Sequence, residues 1–200
     1  SASPIVIPIG IKTKPYFRHL VVEDQNFGPA SSITTGKSMT RQRVLDLYKK
    51  GLEIGKSTRK PVLLAESVPG GTTTAQAVME AFGLNVSSLV GSSLFKAPRE
   101  LKRKVIQTGL INANLKNGYN SIDVIASVGD PFQALSMGLV IGCRLANQPV
   151  ILSGGSQMLA VILLALEYLD SERKKDFIKE VSIATTRWLL VDNSLSKILK

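Results

Sequence analysis

Short uncharged runs rich in Ile, Val and Leu alternate along this chain with stretches whose apolar residues recur at helical spacing, and a Gly-containing turn follows several of the runs. That alternation constrains the fold more tightly than composition does. Parallel strands need long crossover connections, and amphipathic helices of roughly ten to twenty residues supply them. The expected class is α/β: a mainly parallel sheet with helices on both faces, Rossmann-like and three-layered, with residues 1–200 forming a single domain.

The pattern predicts a buried strand over Pro4 to Ile11, then a loop up to Ser38. An amphipathic helix follows from Thr40, with Val44, Tyr48 and Leu52 on one stripe. Pro61 to Ala65 reads as a strand and Thr73 to Phe82 as a helix, with Gly83 as its C-terminal cap. Val86 to Val90 is a further candidate strand, leading to a helix with Pro98 in its first turn and Gly118 past its end. Ile122 to Ala126 is expected as strand and Pro131 to Ala146 as helix, where Gly138 and Gly142 allow another backbone to come close. Val150 to Leu152, Gln157 to Tyr168 and Val181 to Thr185 complete the order as strand, helix and strand.

Composition narrows the class. Hydrophobic residues at 44% and charged residues at 20% describe a chain that folds around a core. The net charge of +10 raises nucleic acid as a partner, but the Lys and Arg clusters are dispersed over helices without interleaved aromatics, which favours solvated helix faces. The apolar stretch Pro149 to Leu169 is interrupted by Ser153-Gly154-Gly155-Ser156-Gln157, so strand, turn and helix are expected rather than a membrane span. A single cysteine, Cys143, in an apolar run suits a reducing compartment, and the cytoplasm is the expected location. His19 and Cys143 have no metal-ligand spacing around them, so no metal site is expected.

The most informative segment is Glu66-Ser67-Val68-Pro69-Gly70-Gly71-Thr72-Thr73-Thr74, between a strand and an amphipathic helix. Paired glycines permit a tight turn with exposed N–H groups, and threonines supply hydroxyls and a cap where the helix dipole favours an anion. A phosphate fits; a Thr-capped turn without a ligand fits the same spacing. Gly129-Asp130-Pro131 and Ser153-Gly154-Gly155-Ser156 are similar turns, and three of them at one sheet edge would enclose a cleft. Thr35-Gly36-Lys37-Ser38 is similar to the end of a Walker loop, but Ser31 stands where its first glycine belongs, which rejects that motif.

Glu66 to Thr73, Leu101 to Val105 and Gly129 to Ala160 resemble the nicotinate-nucleotide:dimethylbenzimidazole phosphoribosyltransferases, and in particular a related branch of them. The resemblance runs over most of Pro61 to Trp188; its most specific part is Glu66 followed by Gly70, Thr72 and Thr73. It implies transfer of ribose phosphate from nicotinate mononucleotide, or a similar donor, to an aromatic base in making the cobalamin lower ligand, with no metal or cofactor. By the same resemblance Glu66 is the catalytic carboxylate. The resemblance implies Gly70, Gly71, Thr72, Thr73 and Lys104 as phosphate contacts, and Gly129, Asp130, Gly154 and Gly155 from the two similar turns are the further candidates for substrate binding.

Val68 and Pro69 stand where the characterised enzymes carry Gly and Ile, and Gly71 where they carry Asn, which leaves the acceptor base open. The family's general-base glutamate lies near the C-terminus of its full-length members. This chain resembles their central portion, so it is expected to bind the donor better than it turns it over. A homodimer is left open, no membrane partner is expected, and two other readings stand beside the enzyme: a nucleotide-binding module without turnover, and a basic nucleic-acid-binding protein.

Overall fold

A computed structural model describes residues 4–91 and 98–187. Helix α1 spans Arg41–Ser57, strand β1 Val62–Ala65, α2 Gly71–Ala81, α3 Arg99–Ala113, α4 Ser121–Val128 and α5 Pro131–Leu145. Then come β2 Val150–Ser153, α6 Ser156–Tyr168, α7 Ser171–Lys179 and β3 Val181–Ala184. The strands form one parallel sheet in the order β1-β2-β3, with Val62 opposite Val150 and Val150 opposite Val181. The α/β class and the parallel pairing are as expected.

Both crossovers step in the same direction across the sheet. Because such connections share one handedness, both put their helices on the same face. The burial agrees: Val150 and Leu152 of the central strand are buried, whereas Leu63 and Ile151 on the opposite face are 66% and 39% exposed. Among the described residues, then, the two crossovers cover one face of the sheet.

Below that face, α1 lies directly on α5. A Cβ at Gly138 would fall 2.0 Å from the Tyr48 carbonyl oxygen, and one at Gly51 would fall 2.0 Å from that of Leu135. The close approach expected of Gly138 and Gly142 is therefore present, with Gly51 and Gly55 as its other half.

Three expected strands are absent. Pro4 to Ile11 runs irregularly, with Ile5 78% exposed; Pro4 and Pro8 lack the N–H a ladder needs, and the run folds back so that Leu20 N–H donates to Val6. Val86 to Val90 is a single turn closed on the Val86 carbonyl, with both valines buried. Ile122 to Ala126 lies in α4, because Asn120 and Asp123 form a reciprocal capping box that starts a helix there. Two bounds also shift: α2 begins at Gly71, and α3 ends at Ala113, capped by Asn114 in the left-handed conformation, rather than near Gly118.

The N-terminal loop is fastened to α1 by one buried ion pair. Arg43 meets Glu23 through two hydrogen bonds of 2.9 Å, and its guanidinium also donates to the Gly28 carbonyl. Among the described residues no helix is long and apolar enough to cross a membrane.

Candidate functional site

Ala65, Ser153 and Ala184 lie side by side at the carboxyl ends of the three strands, so Glu66 and Gly154 leave the sheet at the same edge. That is where open parallel sheets hold their ligands. After β1 the chain reverses through Val68-Pro69-Gly70-Gly71. Proline sets the first central position, Gly70 takes φ 75° at the second, and the Gly71 N–H closes the turn on the Val68 carbonyl at 2.9 Å. Helix α2 starts at once, with Gly70 as N-cap and no side-chain cap, so the expected threonine cap is not used.

This arrangement decides which donors face outward. Thr73 and Thr74 both direct their N–H groups to the Gly70 carbonyl. Among the described residues the N–H groups of Gly70 and Thr72 have no acceptor, and nothing lies within 4 Å of where a Gly70 side chain would begin. Among the described residues the turn thus leaves two amide donors unpaired at the positive end of the α2 dipole. Glu66 begins the turn, half-buried, and its Oε2 accepts the Val68 N–H at 2.6 Å.

A cation sits beside the turn. Lys102 of α3 is only 6% exposed, and its Nζ lies 3.1 Å from the Gly91 carbonyl oxygen and 3.4 Å from the Thr72 hydroxyl. Burial pushes its ammonium below the usual lysine range, opposed by the charge of Glu80. Lys104, two residues on, is exposed. Sequence reasoning misses Lys102 as a site residue, although a signal is there: Lys102, Ile106 and Gly109 share the buried stripe of α3.

Behind the turn is a buried polar cluster. Asp130 caps α5, its Oδ1 accepting the Gln133 N–H at 3.0 Å while its own N–H donates to Gln133 Oε1 at 3.1 Å. Its Oδ2 accepts from the Thr74 hydroxyl at 2.5 Å and from Gln157 Nε2 at 2.8 Å, and Gln133 Nε2 donates to Gln157 Oε1. Burial pushes the Asp130 carboxyl above the usual carboxylate range, while the bonds from Thr74, Gln157 and the Gln133 and Phe132 N–H groups work against that rise.

The three Gly-containing turns therefore do converge, with different exposures. Glu66, Gly70, Thr72 and Thr73 border the open side, and Gly154 and Gly155 are half-buried next to them in the β2–α6 turn. Gly71 is buried against Gln157 and Val68. Gly129 and Asp130 are buried too, and they follow a helix rather than the expected strand. A side chain at Gly129 would meet Gln133 and the α4 backbone. Thr74, Gln133 and Gln157 enter the cluster through contacts that no local pattern announces, apart from the Asp130…Gln133 capping spacing.

A family model described as phosphoribosyltransferase matches residues 2–172. A UPF0284 protein of Prochlorococcus marinus (strain MIT 9312) is 71% identical over 98% of this chain and 51% of its own length. A UPF0284 protein of Methanocaldococcus jannaschii is 35% identical over 93% of this chain and 51% of its own length. The chain thus spans about half the length of these relatives. Among solved structures, CobT from Thermus thermophilus superposes with a TM-score of 0.73 at 18% identity, over 97% of this chain and 58% of that one. A nicotinate-nucleotide-dimethylbenzimidazole phosphoribosyltransferase structure from the same organism gives 0.68 at 18% identity, over 97% and 57%. At that identity the likeness is one of fold, whereas the family match covers most of the chain, and the chain belongs to the phosphoribosyltransferase family, in a branch it shares with the UPF0284 proteins.

Proposed function

We propose that this chain carries the donor site of a phosphoribosyltransferase, taking nicotinate mononucleotide or a closely similar ribose phosphate and passing its phosphoribosyl group to an aromatic nitrogen base of the benzimidazole kind. The observation that carries this is the pairing of an open Pro-Gly-Gly turn at the start of α2 with the buried Lys102 ammonium beside Thr72. Two amide donors, a helix dipole and a fixed cation are what a phosphate monoester needs.

In this reading the phosphate sits over Gly70 to Thr73 and the ribose lies toward Glu66. The bond between C1 of the ribose and the pyridine nitrogen breaks, and its electron pair leaves with nicotinate. The incoming base nitrogen then bonds to C1, and its proton passes to a general base. As the old bond lengthens, positive charge grows on the ribose. A carboxylate already held by the Val68 N–H stabilises that charge more than it stabilises the ground state, which is the condition for catalysis. The same site without a base in reach would bind and not turn over, which is the second reading.

Isothermal titration with nicotinate mononucleotide tests the binding, and chromatography of released nicotinate in the presence of dimethylbenzimidazole tests the transfer. Binding with release supports the enzyme. Binding without release supports a nucleotide-binding module. No binding overturns both.

A further inference from the structure

Three helices begin around one carboxyl group. Thr74 stands in the first turns of α2, Asp130 caps α5, and Gln157 is in the first turn of α6, so the Asp130 cluster ties together the elements that carry two of the site's turns. The directions of its hydrogen bonds follow from one group that cannot turn over. The Asp130 backbone N–H must donate, so it fixes Gln133 with Oε1 toward it and Nε2 toward Gln157. That in turn fixes Gln157 with Oε1 toward Gln133 and Nε2 toward Asp130 and Thr74.

At the end of the chain of bonds, both oxygens of residue 130 face donors: Oδ1 the Gln133 N–H, Oδ2 the Gln157 amide and the Thr74 hydroxyl. An amide cannot serve there. Whichever way an asparagine turned, its NH2 would face a donor. Flipping the two glutamines to accommodate it would only move the conflict back to the Asp130 N–H.

We infer that Asp130 is a positioning residue whose carboxyl group, and not merely its shape, fixes the first turn of α2 against α5 and α6. Its functional meaning rests on the donor site proposed above. Asp130 is 4% exposed and reaches the β1–α2 turn through Thr74 and through Gln157, which lies against Gly71. It therefore acts on phosphate binding by holding the turn that carries the N–H groups of Gly70 and Thr72.

The direction of the bonds also specifies a rescue. In D130N/Q157E the asparagine keeps its oxygen toward the Gln133 N–H and gives its NH2 to the new carboxylate, whose second oxygen accepts from Gln133 Nε2. The carboxylate has moved one residue along the ring, and the Thr74 hydroxyl, now accepting from the asparagine NH2, donates to the Gly71 carbonyl 3.1 Å away, so every donor has an acceptor. Either change alone breaks the ring: D130N sets donor against donor, and Q157E sets two carboxyl groups face to face.

The experiment compares the parent, D130N, Q157E and D130N/Q157E by amide hydrogen exchange over residues 71–75 and by titration with nicotinate mononucleotide. Each single variant should speed exchange in that segment roughly tenfold or more and weaken the nucleotide by a similar factor, and the double variant should recover both to within about threefold of the parent. Singles that match the parent, or a double as impaired as the two singles combined, would overturn the inference. If D130N does not fold, T74V against T74S gives the same test: faster exchange in T74V alone supports it, and equal exchange overturns it. A parent that binds no nucleotide sinks the donor-site reading while the exchange arm still decides the role of Asp130.

Discussion

The α1–α5 contact and the β1–α2 turn are both built on glycine, and they use it in opposite ways. Between the helices the space a side chain would occupy is already taken, by the carbonyl of Tyr48 at Gly138 and by that of Leu135 at Gly51. At Gly70 nothing among the described residues lies within 4 Å of that space, and the residue is there for its backbone angle. One region uses the missing side chain for close packing, the other for access. Composition is the same in both places. What differs is whether the fold brings another backbone up to the glycine, and that decides which of them can meet a ligand.

Filling the packed side should have the largest effect. Gly138→Leu forces α1 off α5 and should cost about 3 kcal/mol or more of stability, read as a fall in Tm or a failure to fold. If the variant melts with the parent, the close contact is not what holds these helices. Gly71→Val comes next, because this glycine, although in the turn, is of the packed kind: its Cβ would come 2.8 Å from Gln157 Nε2. It should lose about 1–3 kcal/mol in denaturant unfolding and disturb the Asp130 cluster as well as nucleotide binding. A fully stable Gly71→Val that loses only affinity would move Gly71 to the access side.

On the open side the effects fall on binding. Lys102→Ala should weaken nicotinate mononucleotide by roughly tenfold or more, as loss of a charge-assisted contact does, while Lys104→Ala changes it little. The resemblance of sequence points to Lys104 and the geometry to Lys102, so titrating the two variants side by side decides between them. Gly70→Ala has room for its methyl group and is destabilised only by the left-handed backbone, by about 1 kcal/mol. A loss as large as that of Gly138→Leu would mean that the turn is packed after all.

The smallest effect is on pH dependence. Burial disfavours the charged Lys102, so its folded value lies below the unfolded one. Stability is then penalised at all pH below the folded value, and the penalty fades as pH rises from there toward the ordinary lysine range. Lys102→Met should therefore be slightly more stable than the parent near neutral pH, with the gap closing in alkali. Urea midpoints across that range measure it. A gap that widens in alkali would contradict the burial argument.

The sequence made one half of this comparison legible. Hydrophobic periodicity located the start of α1, and α5, α6 and all three strands of the sheet, to within a residue or two, and Pro69-Gly70 marks its own turn. Pro4 to Ile11, Val86 to Val90 and Ile122 to Ala126 misled because a short apolar run becomes a strand only if a partner strand arrives, and otherwise coils or enters a helix. In the candidate site, the tight turn that follows Glu66 could be read directly, since its geometry is local. Lys102 and Gln157 could not, because each acquires its role from a segment remote in the chain: Lys102 from Thr72, Gln157 from Asp130.

The long crossover between β1 and β2 has a consequence in time. Val62 pairs with Val150, and Ala65 with Ser153, across the whole of the segment from Glu66 to Pro149. Contacts of such separation lose loop-closure entropy before they gain contact energy, so the two strand ends that frame the candidate site are expected to meet late in folding. The turn at Gly70 can form early and locally, but the edge it shares with Gly154 cannot. During refolding, recovery of nucleotide binding should therefore lag behind recovery of helix, making the ligand a clock for the last step of assembly.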